Sequence, residues 1–507
     1  MLLHRLCALV LLPLALLLGG VAPTSPAPPA VAAPLEARPN VVVVMVDDMA
    51  ATDLRWMPRI RRVIGARGVT FADGISPNPM CCPARAAFLT GEESHNNGVW
   101  SNTQPNGGYA ALDGDPRLPE WLQEVGYRTA FFGKHLNGFK AEQAASEPGW
   151  DVLDALVRGV YSYRNFTTWN DGDPVDVRRG YVTDHLSDAA RRTVRRFSRQ
   201  DADAPFFLWI SHVGPHNART TRCDPGCWDP PIPAARDRGD LAGVRSPTRK
   251  LPSFNRANGE DAPPFLRGLE RSSRRSIDTL HQRRVETLRS VDRSVVHLVR
   301  TLRRTDELDD TVLVFTSDNG YLLGQYRYVG KRLPYEDAVR VPLLVRGPGV
   351  PAGREVTGTA TTADLSATVV DLAGARPPAP LDGTSLVPAF ADGVTSRESA
   401  LVQTGASIQG EGDGEVGQEP GLRGWLYRGY RDERWTYVRY PDPAGPDTPA
   451  FEELFDRQQD PFELENLASS ARHADTLAEL RSRARRLEGC SGSSCHPVWG
   501  PVPSPTG

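Results

Sequence analysis

The sequence has little net charge and few cysteines, and it shows no internal repeat. Its 507 residues carry 59 basic and 62 acidic side chains, which gives a formal net charge of −3 with both signs interspersed. Because no basic field is present to attract a phosphate backbone, we expect no nucleic-acid partner. A chain of this length can bury one large core and carry a smaller domain beside it.

The apolar run at the N-terminus is short as well. Leu6–Leu18 follows Arg5, is interrupted by Pro13, and has fewer than the roughly 20 residues that a membrane-spanning helix needs. Small residues then lead to Ala33. This order predicts a signal peptide over residues 1–33 and a secreted or extracytoplasmic protein without stable membrane insertion. A membrane anchor is the alternative.

Of the seven cysteines, six remain once Cys7 leaves with the signal peptide, and four of these form two closely spaced pairs. The pairs are Cys223 with Cys227, and Cys490 with Cys495. We predict that each pair is a disulfide that closes a small loop. A zinc site is the alternative, but neither spacing is that of a C-x2-C knuckle. Cys81 and Cys82 are left over, and adjacent cysteines rarely bridge each other.

Apolar runs of strand length alternate with stretches of helical period. The runs that lead into clusters of polar residues are Val41–Val46, Thr129–Phe132, Phe206–Ile210 and Val312–Phe315. Helical period occurs at Pro119–Val125, His185–Phe197 and Ile277–Leu302. Strands that alternate with helices predict an α/β fold with a mostly parallel sheet flanked by helices. The site of such a fold forms at the carboxyl ends of the strands.

The pattern changes after about Phe390. Two short alternating segments and a helical run follow, at Trp425–Tyr430, Trp435–Tyr440 and Ala474–Leu487. They predict a small antiparallel sheet with a packed helix. The acidic, glycine-rich stretch Gly405–Gly421 predicts a mobile loop. We therefore expect a main domain over residues 34–390 and a C-terminal subdomain over residues 391–507.

The most specific feature is the run from Cys81 to Gly91, which reads Cys-Cys-Pro-Ala-Arg-Ala-Ala-Phe-Leu-Thr-Gly. It resembles the sulfatase signature C-x-P-x-R-x4-T-G. The resemblance implies that a formylglycine-generating enzyme oxidises Cys81 to an aldehyde, formylglycine, and that Arg85 fixes its hydroxyl. The hydrated aldehyde offers one hydroxyl to attack sulfur and a second whose deprotonation later expels sulfate. The alternative is a buried cysteine pair at a helix start, with Pro83 in the first turn.

Two polar pairs resemble the metal motifs of the same family. Asp47 and Asp48 follow the first valine-rich run, and Asp318 and Asn319 follow the last one. The resemblance implies one Ca²⁺ held by these four side chains and the formylglycine oxygen of residue 81, an all-oxygen shell that calcium accepts. Taken singly, each pair is equally typical of a turn or a helix cap.

Three further side chains match the family in order along the chain. Lys134 and Lys331 match its two substrate lysines, and His216 matches the histidine near the leaving oxygen. Many sulfatases carry Lys-x-His at the first position, whereas this chain has Lys-His-Leu-Asn, so the base that eliminates sulfate is not identified. His135 stands one residue early, which turns it to the opposite face of an extended segment. Asn137 resembles the residue found in glucosamine-6-sulfatases and heparan endosulfatases, and with His135 it is a candidate substrate-binding residue.

The resemblance covers Arg38 to about Leu467 and is closest to N-acetylglucosamine-6-sulfatases and heparan endosulfatases. It implies an alkaline phosphatase-like fold and hydrolysis of sulfate esters, on sulfated sugars such as 6-O-sulfated N-acetylglucosamine or on aryl sulfates. In the segment Asn217–Arg274, which is rich in arginine and proline, Arg219, Arg222 and Arg249 are candidates to meet a polyanionic sugar, with a solvated charged loop as the alternative. Two other functions stay open: a phosphomonoester or phosphonate hydrolase of the same superfamily, and a non-catalytic secreted carbohydrate-binding protein.

Overall fold

A computed structural model gives the fold of the chain. It describes residues 38–112, 114, 117–170, 172–200, 204–219, 229–405, 427–442 and 445–505. The predicted signal peptide, the predicted Cys223–Cys227 disulfide and nearly all of the predicted loop Gly405–Gly421 lie outside these residues.

The strands of the described residues are β1 (Asn40–Val46), β2 (Val69–Ile75), β3 (Arg128–Gly133), β4 (Val152–Arg158), β5 (Phe166–Asn170), β6 (Asp173–Val177), β7 (Phe206–Ser211), β8 (Thr311–Ser317), β9 (Leu322–Leu323), β10 (Val329–Gly330), β11 (Leu343–Arg346), β12 (Arg354–Thr361), β13 (Ser399–Thr404), β14 (Tyr427–Asp432), β15 (Trp435–Asp442) and β16 (Gly445–Asp456).

The α-helices are α1 (Pro58–Val63), α2 (Cys81–Thr90), α3 (Ser94–Asn97), α4 (Leu118–Glu124), α5 (Ala141–Ala144), α6 (Val182–Gln200), α7 (Arg274–Arg304), α8 (Glu336–Val339), α9 (Thr362–Ala373), α10 (Val387–Asp392) and α11 (Ala474–Glu488). Within the described ranges, none of them is both long enough and apolar enough to cross a bilayer.

The large sheet has ten strands in the order β12-β2-β11-β8-β1-β7-β3-β4-β5-β6. Strand β1 lies inside it with β7 and β8 as parallel neighbours, and β3 continues in parallel beyond β7. Antiparallel pairs occur at β11 and in the edge strands β5 and β6. The predicted α/β fold with a mostly parallel sheet flanked by helices is therefore confirmed.

Helices cover both faces of this sheet, which explains why every residue of the valine-rich strand β1 is buried. Alternate residues of β1 enter two different cores. Val41 and Val43 pack with side chains of α2, α4 and α9, whereas Val42 and Val44 pack with side chains of α1, α6 and α7. The sheet is thus held from both sides, and only its strand ends are left for polar groups.

The predicted small antiparallel sheet is also confirmed. Strands β13 to β16 form it in sequence order. Leu477 and Leu480 of α11 pack on one face with Tyr437. After α11, Cys490 and Cys495 form the second of the two predicted disulfides. The loop between these cysteines is held to the connection between α9 and α10, because Gly492 N–H donates to the Asp382 carboxylate at 2.7 Å.

A buried arginine joins the two sheets. Arg431 on β14 donates to both carboxylate oxygens of Asp73 on β2, at 2.8 Å each, and to Glu336 on α8 at 2.8 Å. Its side chain is fully buried. Because an unpaired buried charge is costly, these contacts fix how the small sheet sits on the large one.

Glu453 on β16 lies near this joint and makes stability depend on pH. It accepts hydrogen bonds from the hydroxyls of Tyr335 and Tyr440, at 2.8 and 2.6 Å, and is 1% exposed. Burial raises its pKa from 4.5 to about 8. The folded state therefore favours the protonated carboxyl, and this contribution to stability is complete below pH 4.5 and is lost as the pH rises toward 8.

We predict that Glu453→Gln, which keeps this side chain neutral at every pH, reduces the loss of thermal stability between about pH 5 and about pH 8. At the higher pH the variant should melt above the wild type, by about 2 °C or more. Thermal unfolding followed by circular dichroism at both pH values measures the effect. The control is Glu270→Gln, at an exposed position. Equal pH dependence in the wild type and both variants would contradict the role given to Glu453.

Candidate active site

The carboxyl ends of five strands meet at one edge of the large sheet, where they place the polar residues that the sequence singled out. Asp47 and Asp48 follow β1, and Asp318 and Asn319 follow β8. Cys81 begins α2 in the connection after β2, Lys134 follows β3, and His216 lies in the loop after β7. The edge therefore gathers residues that are far apart in sequence, as expected for a parallel sheet.

Cys81 is fully buried and takes no part in a disulfide. Its Sγ lies 3.4 Å from Oδ1 of Asp47 and 2.8 Å from the Nζ of Lys331. Cys82 faces away, because its Sγ accepts a hydrogen bond from the backbone N–H of Asn137 at 2.8 Å. The two adjacent cysteines thus have different surroundings, and only Cys81 is placed among the charged groups.

The acidic residues are held by a network of hydrogen bonds. Oδ1 of Asp318 accepts from the backbone N–H groups of Asp48, at 3.1 Å, and of Asn319, at 2.8 Å. The amide of Asn319 donates to Oδ1 of Asp48 at 2.8 Å. Asp48 has φ of 66°, a left-handed conformation that is uncommon for residues other than glycine. Such strain persists only where the surroundings enforce it, and it is typical of functional sites.

This cluster fits a divalent cation. Ligand atoms of Asp47, Asp48, Cys81 and His216 all lie within 4.8 Å of one another. Oδ1 of Asn319 is buried and has no hydrogen-bond partner, which is costly unless a cation takes up that oxygen. Carboxylate and amide oxygens are the ligands that hard cations prefer.

Arg85 lies beneath the cluster on α2, and its side chain is fully buried. Its Nε donates to Oδ2 of Asp318 at 2.9 Å, and its Nη2 lies 2.8 Å from the same oxygen. Its Nη1 donates to the Lys134 carbonyl at 2.7 Å and to the Ser211 hydroxyl. Burial opposes the charge, but the carboxylates of Asp318 and Asp47 outweigh it and raise the pKa of Arg85 above its usual value. Arg85 is therefore a permanent cation that ties α2 to three strand ends.

The sequence contains four lysines, and two of them meet here. Lys134 Nζ donates to Oδ2 of Asp47 at 2.6 Å, and Lys331 Nζ donates to Oδ1 of Asp48 at 2.6 Å. Burial disfavours the Lys134 ammonium, yet Asp47 offsets it, so the pKa of Lys134 is well above its usual value. With Arg85, the two lysines place three cations against the three carboxylates of Asp47, Asp48 and Asp318.

His216 makes contacts through both nitrogens of its ring. Its Nδ1 lies 2.7 Å from the Asn217 carbonyl, and because a carbonyl oxygen only accepts, Nδ1 carries the proton. Nε2 points to Oδ2 of Asp48 at 3.6 Å. The ring of Tyr161 stacks on the imidazole with centroids 4.2 Å apart, and Lys134 Nζ lies 4.9 Å from the same Tyr161 ring. Tyr161 thus orders two of the predicted site residues.

The structure does not bring the side chain of His135 to Cys81. The imidazole stacks on Phe139 at 4.2 Å, and its Nε2 lies 3.6 Å from Oε1 of Glu147. Burial lowers the pKa of His135 well below its usual value, so the ring is neutral. Lys134 and His135 therefore face opposite sides, as the one-residue offset indicated. Asn137 borders a cavity beside the site and contacts Cys82 through its backbone.

Sequence reasoning missed Tyr161 and Arg284. Arg284 on α7 donates to the backbone carbonyls of Asp48 and, at 3.3 Å, of Pro215, and its guanidinium lies 4.2 Å from the Tyr321 ring. It therefore links the loop after β1 to the loop that carries His216. A signal for Arg284 exists, because it occupies the apolar stripe of α7, four residues before Leu288. No motif marks Tyr161.

We predict that a divalent cation stabilises the folded chain through this cluster. Calcium in large excess over a chelated sample should raise the melting temperature of the wild type by about 2 °C or more. The rise should be lost in Asp318→Asn and retained in Asp309→Asn, a matched change at an exposed position. Differential scanning calorimetry gives the shift for each variant. A wild-type melting temperature that calcium, magnesium and manganese all leave unchanged would exclude the cation site.

Comparison with known proteins agrees with this geometry. The family model described as Sulfatase matches residues 39–375. An N-acetylglucosamine-6-sulfatase of Capra hircus is 30% identical over 507 aligned residues, which cover 90% of this chain and 85% of that protein. A solved structure of BT4656 in complex with its substrate D-glucosamine-2-N,6-O-disulfate has a TM-score of 0.73 at 22% identity, over 88% of this chain and 97% of that one.

Longer relatives match only in part. An extracellular sulfatase SULF-1 homolog of Drosophila melanogaster is 31% identical over 365 residues, which cover 70% of this chain but 31% of the fly protein. A related protein of Caenorhabditis elegans is likewise 31% identical and is covered over 49% of its length. The chain thus spans about half or less of these two relatives.

Proposed function

The chain belongs to the sulfatase family, and from that premise we propose that it hydrolyses sulfate esters with a formylglycine nucleophile made from Cys81. The placement of Cys81 is the observation that carries this proposal. Its Sγ contacts Lys331 and lies beside Asp47, at the first residue of a ten-residue helix. The N-terminus of a helix favours developing negative charge, and the neighbouring cations act in the same direction.

The charges of the site suit an anionic ester. Three buried carboxylates face three buried cations, so the side chains alone are close to neutral. We propose that Asp47, Asp48, Asp318 and Asn319 hold one Ca²⁺ together with the oxygen of the modified residue 81. The bound cation would supply positive charge beside the sulfate oxygens. The occupied site then carries net positive charge, which attracts a sulfate monoester and opposes loss of the bound anion.

Each polar residue has a role in this proposal. The hydrated aldehyde at residue 81 supplies the hydroxyl that attacks sulfur, and Arg85 keeps it oriented. Lys134 binds an ester oxygen and is held by Asp47. Lys331 and His216 lie on the side of Asp48 and assist departure of the alcohol. We do not assign His135 as the base that removes the proton when sulfate is eliminated, because its ring packs against Phe139.

We propose a sulfated sugar as substrate, such as a 6-O-sulfated N-acetylglucosamine residue. The goat relative, which is named N-acetylglucosamine-6-sulfatase and is matched over 85% of its length, supports this choice. The sugar bound in the BT4656 complex supports it as well. The fly relative is named an extracellular sulfatase. Its name supports a secreted or extracytoplasmic location, which the chain would reach through the signal peptide over residues 1–33. Maturation would then need a formylglycine-generating enzyme. The division into residues 34–390 and 391–507 remains part of this proposal.

The nucleophile is tested by a matched pair of variants. Cys81→Ala should lower the release of sulfate from 4-nitrophenyl sulfate by about 10⁴-fold or more, since the covalent route is removed. Cys82→Ala, next to it in sequence, should keep activity within about tenfold, because its thiol faces the backbone of Asn137. The proteins are produced together with a formylglycine-generating enzyme, and circular dichroism checks their folding. Wild-type turnover by Cys81→Ala would refute the assignment. Sugar binding without turnover by the wild type would favour a non-catalytic carbohydrate-binding protein.

Sulfate and phosphate hydrolysis are separated by rates on matched esters. We expect kcat/KM for 4-nitrophenyl sulfate to exceed that for 4-nitrophenyl phosphate and for a phenylphosphonate monoester by about tenfold or more. The reason is that the chain belongs to the sulfatase family, and that a formylglycine hydrate expels sulfate by elimination without attack of water on a sulfated enzyme. The same enzyme preparation serves for all three esters. Faster hydrolysis of either phosphorus ester would assign the chain to the phosphomonoester or phosphonate hydrolases of the superfamily.

A further inference from the structure

A cavity of about 590 Å³ opens beside the candidate active site. Its wall includes Lys134 and Tyr161, the two residues that contact Asp47 and His216 in the reactive cluster. A volume of this size is within the range of small-molecule sites. The part of a substrate that lies beyond the reacting ester therefore has room here.

The charged side chains that line this cavity all carry the same sign. Lys134, Lys140 and Arg219 are its cations, and Gln104, Asn137 and Gln143 offer amides. Among the described residues that line it, there is no aspartate or glutamate. This distinguishes the cavity from the chain as a whole, in which acidic residues slightly outnumber basic ones.

Two of the three cations have no carboxylate partner among the described residues. Lys134 is committed to Asp47 at 2.6 Å. Lys140 and Arg219 are exposed, and neither side chain contacts a carboxylate of the described residues. Arg219 is fixed to the wall through its backbone, because its N–H donates to the Tyr161 carbonyl at 3.1 Å. Lys140 begins a helical turn in which its backbone N–H donates to the Gln143 side chain at 3.1 Å.

We propose that this cavity is a subsite for a second anionic substituent of the substrate, a sulfate or carboxylate on the same sugar ring or the next one, held by Lys140 and Arg219. The proposal rests on the sulfatase function proposed above and narrows its substrate class to sugars with at least two negative charges. The amides of the wall accept from and donate to the hydroxyls of the sugar.

Binding to a full-length protein that cannot turn over its ligand tests this subsite. In a Cys81→Ala background, calorimetry gives Kd for N-acetylglucosamine 6-sulfate and for glucosamine 2-N,6-O-disulfate. We expect the disulfated sugar to bind about tenfold more tightly or better, and this preference to weaken as salt rises. The combined change Lys140→Gln and Arg219→Gln should reduce the ratio of the two Kd values by about tenfold or more. Lys250→Gln, a matched exposed lysine outside the cavity, should leave the ratio unchanged.

Different results would refute the subsite and the sulfatase function. Equal Kd values for the two sugars, no binding of either, or a ratio that the double variant leaves intact, would overturn the subsite. Release of sulfate by the wild type is measured separately on 4-nitrophenyl sulfate. Turnover there with an unaltered Kd ratio would refute the subsite alone, whereas absence of turnover in protein with the aldehyde at residue 81 would refute the proposed function.

Discussion

Three carboxylates buried at the ends of β1 and β8 impose the constraint on which the rest of the site depends. Asp47, Asp48 and Asp318 are at most 1% exposed, and each buried charge costs several kcal/mol unless it is paired. Arg85, Lys134 and Lys331 supply the pairing, and they come from three separate segments. The need to neutralise these carboxylates therefore brings α2, the end of β3 and the loop after β10 to one point.

The same constraint explains the position of Cys81. Helix α2 must present Arg85 to Asp318, and the first residue of that helix then lies between Asp47 and Lys331. A cation bound by the carboxylates and by the orphaned oxygen of Asn319 would complete the charge balance in favour of an anionic ligand. The proposed metal binding, activation of residue 81 and attraction of a sulfate ester would thus be three consequences of one buried arrangement of charge.

Much of this arrangement could be predicted from the sequence, because buried parallel strands are apolar along their whole length and end at polar residues. The run Val41–Val46 became β1, and the helical period at Ile277–Leu302 became α7 with a few residues more at each end. Strand β2 could not be recognised in this way. It contains Asp73, which interrupts the apolar pattern and is satisfied by Arg431, 358 residues later. The edge strand β6 is almost entirely exposed, so it has no apolar signature.

Within the site, motifs located the residues that carry charge but not those that position them. Tyr161 acts by ring stacking, which many aromatic residues in a sequence could provide, and only the folded structure shows it against His216. Arg284 stands in the apolar stripe of α7, but its contacts to the loops of Asp48 and Pro215 depend on how α7 packs on the sheet. The cavity beside Lys134 likewise arises from segments that no local pattern relates.

The state of residue 81 tests the central claim most directly. The protein is prepared with increasing amounts of a formylglycine-generating enzyme. One half of each preparation is assayed for sulfate release. In the other half, mass spectrometry gives the fraction of residue-81 peptides that carry an aldehyde. The account predicts that specific activity rises in proportion to the aldehyde fraction and extrapolates to zero when every residue 81 is a thiol. Full activity in a preparation whose Cys81 is entirely unmodified would contradict it.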